Sequence, residues 1–409
     1  MEGIVVGLDV GTTKTCAVIG FLNEHNEVEV AGVGMAPSRG LKNGVIVNID
    51  NTVSSIVKSV EDAELMAGCE VHDVFVGITG HHIAGLNQRG VVAISNRNRY
   101  VNPGEVKRVF EAAQAIKVPA DREIIHVLSK EFSVDDQSGI KDPIGMSGVR
   151  LEAEVHIITG ATTSIQNLVK SVHRAGFQCN DVIFSPLAAS EAVLSHDEKE
   201  LGVALVDIGG GTCDIIIFIE GGVSYTSVNS VGGIHVTNDI SIGLRTPLES
   251  AELIKKKYGC SVVDLVDASE MIEVPSVGGR APRRLFRQEL AQIIEPRMME
   301  IMEMIDRELV VSGKKDLLAA GIVLTGGGSM IEGCVDVAER VFNMPVRIGT
   351  PRDISGLRDI AATAQYANGV GLLKYGILMN QYRSGKDKTK KGGVFSFSGK
   401  LMKWLEQYL

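Results

Sequence analysis

The N-terminal stretch of this chain is written in short apolar runs that end at glycine and threonine. Residues 4–10 are largely branched and apolar, a turn of Gly11, Thr12 and Thr13 follows, and a second apolar run occupies 16–21. Runs of this length bounded by turn residues predict strands. A third strand is expected at 27–35 and a fourth at 71–79. Between them, Val53, Ile56, Val57, Val60 and Ala63 recur at helical spacing within 50–67. That spacing predicts a helix with one apolar face. Three strands, a helix and a strand make an α/β unit whose sheet is covered by helices.

From about residue 84 to 160 the pattern changes to that of a small α+β unit. Asn102, Pro103 and Glu105 are an N-cap, a proline at the first helical position and a capping-box acid, so a helix should run from there to about Lys117. Strands are expected at 126–134 and 149–159, with a Gly/Pro-rich loop between them. This unit reads as an insertion, because a helix at 162–175 and a strand at 181–184 resume the earlier pattern before a link at 185–194.

A second half then repeats the first. Strands at 203–206, 214–219 and 223–229 precede helical segments near 236–242 and 247–258, a short strand at 271–274, and an arginine-rich stretch, 280–297. That stretch should open a long helix to about Leu309, kinked at Pro296. Another strand enters the turn Gly326-Gly327-Gly328-Ser329, with Ser329 placed to cap a helix at 330–342, and a strand at 346–348 and a helix at 360–378 close the body. Residues 381–393 are polar, basic and glycine-bearing, which predicts a flexible linker. In 394–409 the apolar residues Phe397, Leu401, Trp404, Leu405 and Tyr408 recur on one helical face, with Lys400 and Lys403 between them.

Bulk properties narrow the class. A chain of 409 residues should form two or three domains, and its net charge of −9 argues against a general nucleic-acid binder. The six cysteines are scattered with no C-x-x-C pair, so neither a zinc site nor a disulfide framework is expected, and a reducing cytosol fits. No basic leader is seen at the N-terminus, and no apolar run approaches the roughly 20 residues of a spanning helix.

The chemistry lies in the turns. Asp207 closes an apolar run and is followed by Gly209, Gly210, Gly211 and Thr212, and Asp9 with Gly11, Thr12 and Thr13 repeats this 198 positions earlier. Bare backbone N–H groups favour an anion, and an adjacent carboxylate tolerates that anion only across a cation. A metal-bound phosphate is the simplest ligand, although Asp-Gly turns also close ordinary hairpins. Lys14 could offset phosphate charge or be solvated at a strand edge. Glu252 and Lys255 lie at i and i+3 on one helix, as a ligand-facing pair or an ordinary salt bridge. The histidines, including His81 and His82, lack metal-ligand spacing.

The order of the three turns, at Asp9, Asp207 and Gly326, resembles the actin, Hsp70 and sugar-kinase superfamily. That resemblance implies ribonuclease H-like duplicated α/β domains around a cleft for ATP or ADP with Mg²⁺. Asp9 and Asp207 would hold the ion through water, Gly11 to Lys14 and Gly209 to Thr212 would take the phosphates, and Gly326 to Ser329 with Glu252 and Lys255 the nucleoside. The stretches 37–50, 139–150, 274–283 and 294–297 and the amphipathic C-terminus are further similar to the FtsA family of bacterial cell-division proteins over essentially the whole chain. The family implies subdomain 1A at 1–83 and 163–196, an inserted subdomain 1C at 84–162, subdomain 2A at 197–229 and 304–380 with its last helix on 1A, and subdomain 2B at 230–303. It also implies a peripheral protein on the cytoplasmic face of the membrane at the division septum. Such a protein forms filaments, tethers the tubulin-like FtsZ and recruits later division proteins through 1C.

Two details refine that expectation. Hsp70-like ATPases place a glutamate before the proline of the interdomain link, where this chain has Ser185, so slow or negligible hydrolysis is expected unless Glu191 substitutes. Arg280, Arg283, Arg284, Arg287 and Arg297 read as a basic surface for the FtsZ C-terminal peptide or as a solvated face with scattered ion pairs. From Arg383 onward seven basic and two acidic residues give the tail +5, which suits anionic lipid. The alternative for the tail is docking on its own body. The rival function is a small-molecule kinase, which would need a substrate carboxylate in the cleft and has no use for an amphipathic tail.

Overall fold

The structure, a computed structural model, describes residues 3–95, 98–115, 118–278 and 280–386. The first half opens as an antiparallel meander of β1 (Val5–Val10), β2 (Lys14–Leu22) and β3 (Val28–Pro37). A small hairpin of β4 (Leu41–Lys42) and β5 (Val45–Ile46) leads to α1 (Ile49–Ala67), and β6 (Asp73–Ile78) then lies parallel to β1. Asn48 caps α1 by accepting from the Asn51 N–H, and Ile56, Val60 and Ala63 bury the face that the spacing predicted.

The inserted unit consists of β7 (Ala84–Ala93), α2 (Pro103–Gln114), β8 (Arg122–Val134), β9 (Gln137–Ile140) and β10 (Arg150–Ala161), its sheet ordered β7-β10-β8-β9. The expected capping box at Asn102 and Glu105 is formed. The chain returns through α3 (Thr162–Arg174) and β11 (Gln178–Phe184) to α4 (Ser185–Val193). Residues 185–194 were expected as a link, but their Pro at the first turn and the five apolar residues Leu187, Ala188, Ala189, Ala192 and Val193 form a buried helix.

The second half follows with α5 (His196–Leu201), the meander β12 (Val203–Ile208), β13 (Cys213–Ile219) and β14 (Gly222–Asn229), then α6 (Gly233–Gly243) and α7 (Leu248–Tyr258). The hairpin β15 (Met271–Val274) and β16 (Arg283–Phe286) precedes α8 (Arg287–Val311), and β17 (Ile322–Thr325), α9 (Cys334–Phe342) and β18 (Val346–Ile348) complete the sheet. The last segments, β19 (Ile354–Gly356), α10 (Arg358–Ala361) and α11 (Ala367–Lys386), cross back to the first half. There β19 pairs with β3, and α11 packs on β1, β2, β6 and α4.

The two main sheets share one topology. In order they read β11-β6-β1-β2-β3 with β19 added at the edge, and β18-β17-β12-β13-β14. Each has a three-stranded meander whose first strand is joined in parallel by the next two. The duplication expected from the repeated Asp-x-Gly turns is therefore present at the level of the fold. Strands of the second sheet are apolar on both faces because both are covered. Leu205, Ile216 and Val323 join the core shared with the first half, while Val206, Ile217 and Leu324 face a second core against α6, α8 and α9.

Three further expectations about elements fail. Residues 280–286 do not begin the long helix, because Pro282 and the alternation of Arg284, Leu285 and Phe286 favour pairing with β15, so α8 starts at Arg287. Ser329 does not cap a helix at 330. Its hydroxyl donates to the Gly326 carbonyl at 2.8 Å within a 3₁₀ turn, and α9 begins only after Gly333 at φ +73°. Residues 381–386, expected to begin a linker, instead continue α11. The remaining residues, including Phe397, Lys400, Leu401, Lys403, Trp404, Leu405 and Tyr408, lie outside the described residues.

Candidate functional site

Each half presents the same turn at the end of its first strand. The Gly11 N–H donates to the Lys14 carbonyl at 3.0 Å, and the Gly209 N–H donates to the Thr212 carbonyl at 2.9 Å. The two turns meet across the cleft. A Cβ built on Gly210 would stand 2.4 Å from the Thr13 side chain, and one on Gly211 would stand 2.6 Å from Thr12 Oγ1. The third turn closes the ring, because a Cβ on Gly326 would fall 2.1 Å from Asp207 Oδ1. Gly11, Thr12, Thr13, Gly209 to Thr212 and Gly326 to Ser329 are thus brought together, with Asp9 and Asp207 at their base.

The carboxylates are buried with little to neutralise them. Burial pushes the Asp9 carboxyl above its usual range, against the pull of Lys14 and of the Asn368 amide. Burial raises Asp207 to about 6, opposed by its hydrogen bond from Asn368 and by Lys14, while Asp9 adds to the rise. Lys14 is not a solvated strand-edge residue. Its ammonium donates to the Gln365 carbonyl and lies 5.3 Å from the centre of the Tyr366 ring.

Two further residues belong to this cluster and escaped sequence reasoning. Asp214 pairs with Asp207 across the β12–β13 hairpin, and burial together with the charge of Asp207 pushes its carboxyl well up. The Asp-x-x-x-x-x-x-Asp spacing across a tight hairpin was the available signal. Asn368 donates from Nδ2 to Asp207 Oδ2 at 2.8 Å, and its only sequence mark is a polar side chain inside an apolar helical run.

The donor set suits a hydrated cation. Among the described residues no three His, Cys, Asp or Glu side chains are grouped to enclose a metal ion by themselves. Asp214 Oδ1 and Asn368 Oδ1 are nonetheless buried without a hydrogen-bond partner. Oxygen acceptors spaced around a polar cleft match an ion that keeps its water, as Mg²⁺ does.

Glu252 and Lys255 form their i, i+3 ion pair at 2.7 Å, and the pair also reaches the second turn. Lys255 donates to the Gly233 carbonyl at 2.9 Å and to Thr237 Oγ1 at 2.8 Å, while the Gly233 N–H donates to the Gly209 carbonyl at 2.9 Å. Burial lowers the Lys255 ammonium against the pull of Glu252.

Ser185 is buried at the start of α4 beside Asp9. Both lie against Gly77, Ser185 Oγ 2.8 Å and Asp9 Oδ1 3.6 Å from where a Cβ there would stand. Glu191 does not substitute for a glutamate at that position. Two turns along the helix, it pairs with Lys199 at 2.7 Å.

The five arginines are not one surface. Arg287 binds Glu270 at 3.0 Å and also Glu332, and Arg297 binds Asp239 and Glu300. Arg283 donates to the Leu244 carbonyl. Arg280 and Arg284 are exposed and form no ion pair among the described residues. An open surface hollow of about 590 Å³ between α3 and the start of β8, bordered by Ile165, Val169, Lys170 and Glu123, lies outside the cleft and touches no residue expected in the site.

The fold is similar to the "PilM-PilN type IV pilus biogenesis complex", with a TM-score of 0.63 at 15% identity, over 92% of this chain and 99% of that one. It is also similar to MreB5 of Spiroplasma citri in a crystal structure with ADP, with a TM-score of 0.53 at 14% identity, over 95% and 99% of the two chains. These likenesses establish an actin-like fold. At the sequence level, residues 80–159 match the "SHS2 domain inserted in FTSA" and residues 204–371 match "Cell division protein FtsA". The "Cell division protein FtsA" of Pseudomonas aeruginosa is 51% identical over 96% of this chain and 93% of its own length. The chain belongs to the FtsA family of actin-like bacterial cell-division proteins.

Proposed function

We propose that this protein is an ATP-dependent membrane tether of the division machinery, assembling into filaments that hold FtsZ at the inner face of the cytoplasmic membrane and recruit later division proteins. The observation that carries the nucleotide part is the meeting of three strand-end turns over Asp9 and Asp207, one acid from each duplicated half. Gly11, Thr12, Thr13 and Gly209 to Thr212 would cradle the phosphates, with Lys14 offsetting their charge. Asp9 and Asp207 would hold Mg²⁺ through its waters, and Gly326 to Ser329 with Glu252 and Lys255 would take the nucleoside. Bound Mg²⁺ supplies the positive charge that these buried carboxylates lack.

In the second half, Met271 and Phe286 are exposed and directly opposed across β15 and β16, and Glu273 and Arg284 form the next pair on the same face. An apolar pair beside Arg284, with Arg280 in the loop of the same hairpin, suits a short peptide with apolar and acidic residues, such as the FtsZ C-terminus. The inserted unit is the reading for later division proteins.

Membrane attachment rests on the C-terminal pattern. Among the described residues no helix is long and apolar enough to cross a membrane. Each basic residue near anionic lipid contributes about 1 kcal/mol and each well-buried large apolar side chain about 1.5–3 kcal/mol. Ordering a short helix that is marginal in water offsets part of this. One tail therefore binds reversibly, and a filament with many tails binds firmly. With anionic liposomes and ATP-Mg²⁺, Trp404→Glu is expected to abolish co-sedimentation of the full chain while leaving ATP binding intact. Undiminished sedimentation of that variant would refute the tether.

A further inference from the structure

The segment from Ala364 to Asn368 touches all three turns of the cleft. The Ala364 carbonyl accepts from the Gly326 N–H at 3.2 Å and from Thr325 Oγ1 at 3.4 Å. The Gln365 carbonyl accepts from the Lys14 ammonium, which also faces the Tyr366 ring. Asn368, at the first turn of α11, donates to Asp207 at 2.8 Å, and its amide lies near enough to Asp9 to pull that carboxyl down. One amide thus lies between two acids that come from opposite halves of the fold.

An amide does this differently from a lysine. Its NH₂ can hold two carboxylates in register without cancelling their charge, so they stay attractive to a cation. The other end of the group points to the same ligand. Asn368 Oδ1 is buried and has no hydrogen-bond partner, and Asp214 Oδ1 nearby shares that state. A buried amide oxygen left unmet is costly, and a metal-bound water, a strong donor, is the group that would satisfy it.

We propose that Asn368 is a positioning residue for a hydrated divalent cation: its Nδ2 fixes Asp207 opposite Asp9, and its Oδ1 accepts from a water of the ion. This rests on the reading of the cleft as a nucleotide–Mg²⁺ site. Because Asn368 also begins the helix that leads to the C-terminal segment, its engagement would tie the seating of the ion to the position of α11.

The test uses the full chain, the fluorescent analogue mant-ATP, and a Mg²⁺ titration set beside EDTA. Asn368→Leu keeps the volume and removes both hydrogen-bonding ends. It is expected to raise the Mg²⁺ concentration for half-maximal binding about tenfold, the scale of one lost charge-assisted hydrogen bond, while nucleotide binding in EDTA changes by well under that factor. Asn368→Asp adds a further carboxylate beside Asp9, Asp207 and Asp214 and is expected to weaken binding in EDTA and recover it at high Mg²⁺, and it carries the test if the leucine variant does not fold. A residue that only packs would lower the melting temperature and scale binding equally at every Mg²⁺ concentration. That result, or a Mg²⁺ midpoint equal to the wild type, overturns the assignment while leaving the cleft reading intact. A wild-type chain that binds no mant-ATP with Mg²⁺ overturns both.

Discussion

Gly326 occupies φ +83° and ψ 168°, a region open essentially only to glycine, and a Cβ there would meet Asp207 Oδ1 at 2.1 Å. Gly326→Ala therefore combines backbone strain of about 1–3 kcal/mol with a displaced Asp207. It is expected to lower the melting temperature and weaken mant-ATP binding at least about tenfold; binding equal to wild type in a titration would count against the role of this turn. The glycine was legible because three in a row after an apolar strand have few other uses. Ser329 was misread for a reason of the same scale. A serine before a helical pattern usually caps it, but here Ser329 lies inside a 3₁₀ turn and its hydroxyl is spent on the Gly326 carbonyl. Asn368 was invisible because its partners, Asp9 and Asp207, are 359 and 161 positions away, and no local pattern records such a contact.

Elements with one periodic apolar face were read well, and those whose partners lie elsewhere were not. The helix α1 and the twice-covered strands of the second sheet follow directly from spacing and branched composition. The strand β7 was missed because Gly85, Asn87, Gln88 and Arg89 are not a strand-forming run, and it is held by β10 and by β14 of the second half. At that joint His156 is buried, with Nδ1 2.7 Å from Asn87 Oδ1 and Nε2 2.9 Å from Thr226 Oγ1. Burial lowers its pKa to about 4. A histidine whose folded value is depressed contributes stability that is full above the unfolded value near 6.5 and lost as pH falls toward about 4. Amide protection factors in β7 and β14, corrected for the intrinsic slowing of exchange at lower pH, should fall between those limits in the wild type. His156→Gln should flatten that response, and an identical pH profile in the two proteins would exclude His156 as its source.

At the scale of the whole molecule, α4 and α11 pack together between the two sheets, so the cleft and the interdomain joint are built from the same pieces. Ser185 begins α4 beside Asp9, and Glu191, the carboxylate next along that helix, is committed to Lys199. A serine hydroxyl is a weak base near neutral pH. Single-turnover phosphate release by the isolated protein is therefore expected to fall well below about one per second, the low end of ordinary turnover. Release at or above that rate would show that another group activates the water.

The sequence by itself determined the duplicated α/β character, the three turns, the inserted α+β unit and the separate pattern of the C-terminus. Each is written in residues close together along the chain, where periodicity and turn chemistry act. Tertiary structure alone decided which side chains face one another across the cleft. It drew Asn368 and Asp214 to the two acids, turned Glu191 toward Lys199, and used Arg287 and Arg297 in internal ion pairs while leaving Arg280 and Arg284 exposed. Such pairings depend on how two sheets and the helices between them pack, a free energy summed over distant contacts that no short window of sequence contains.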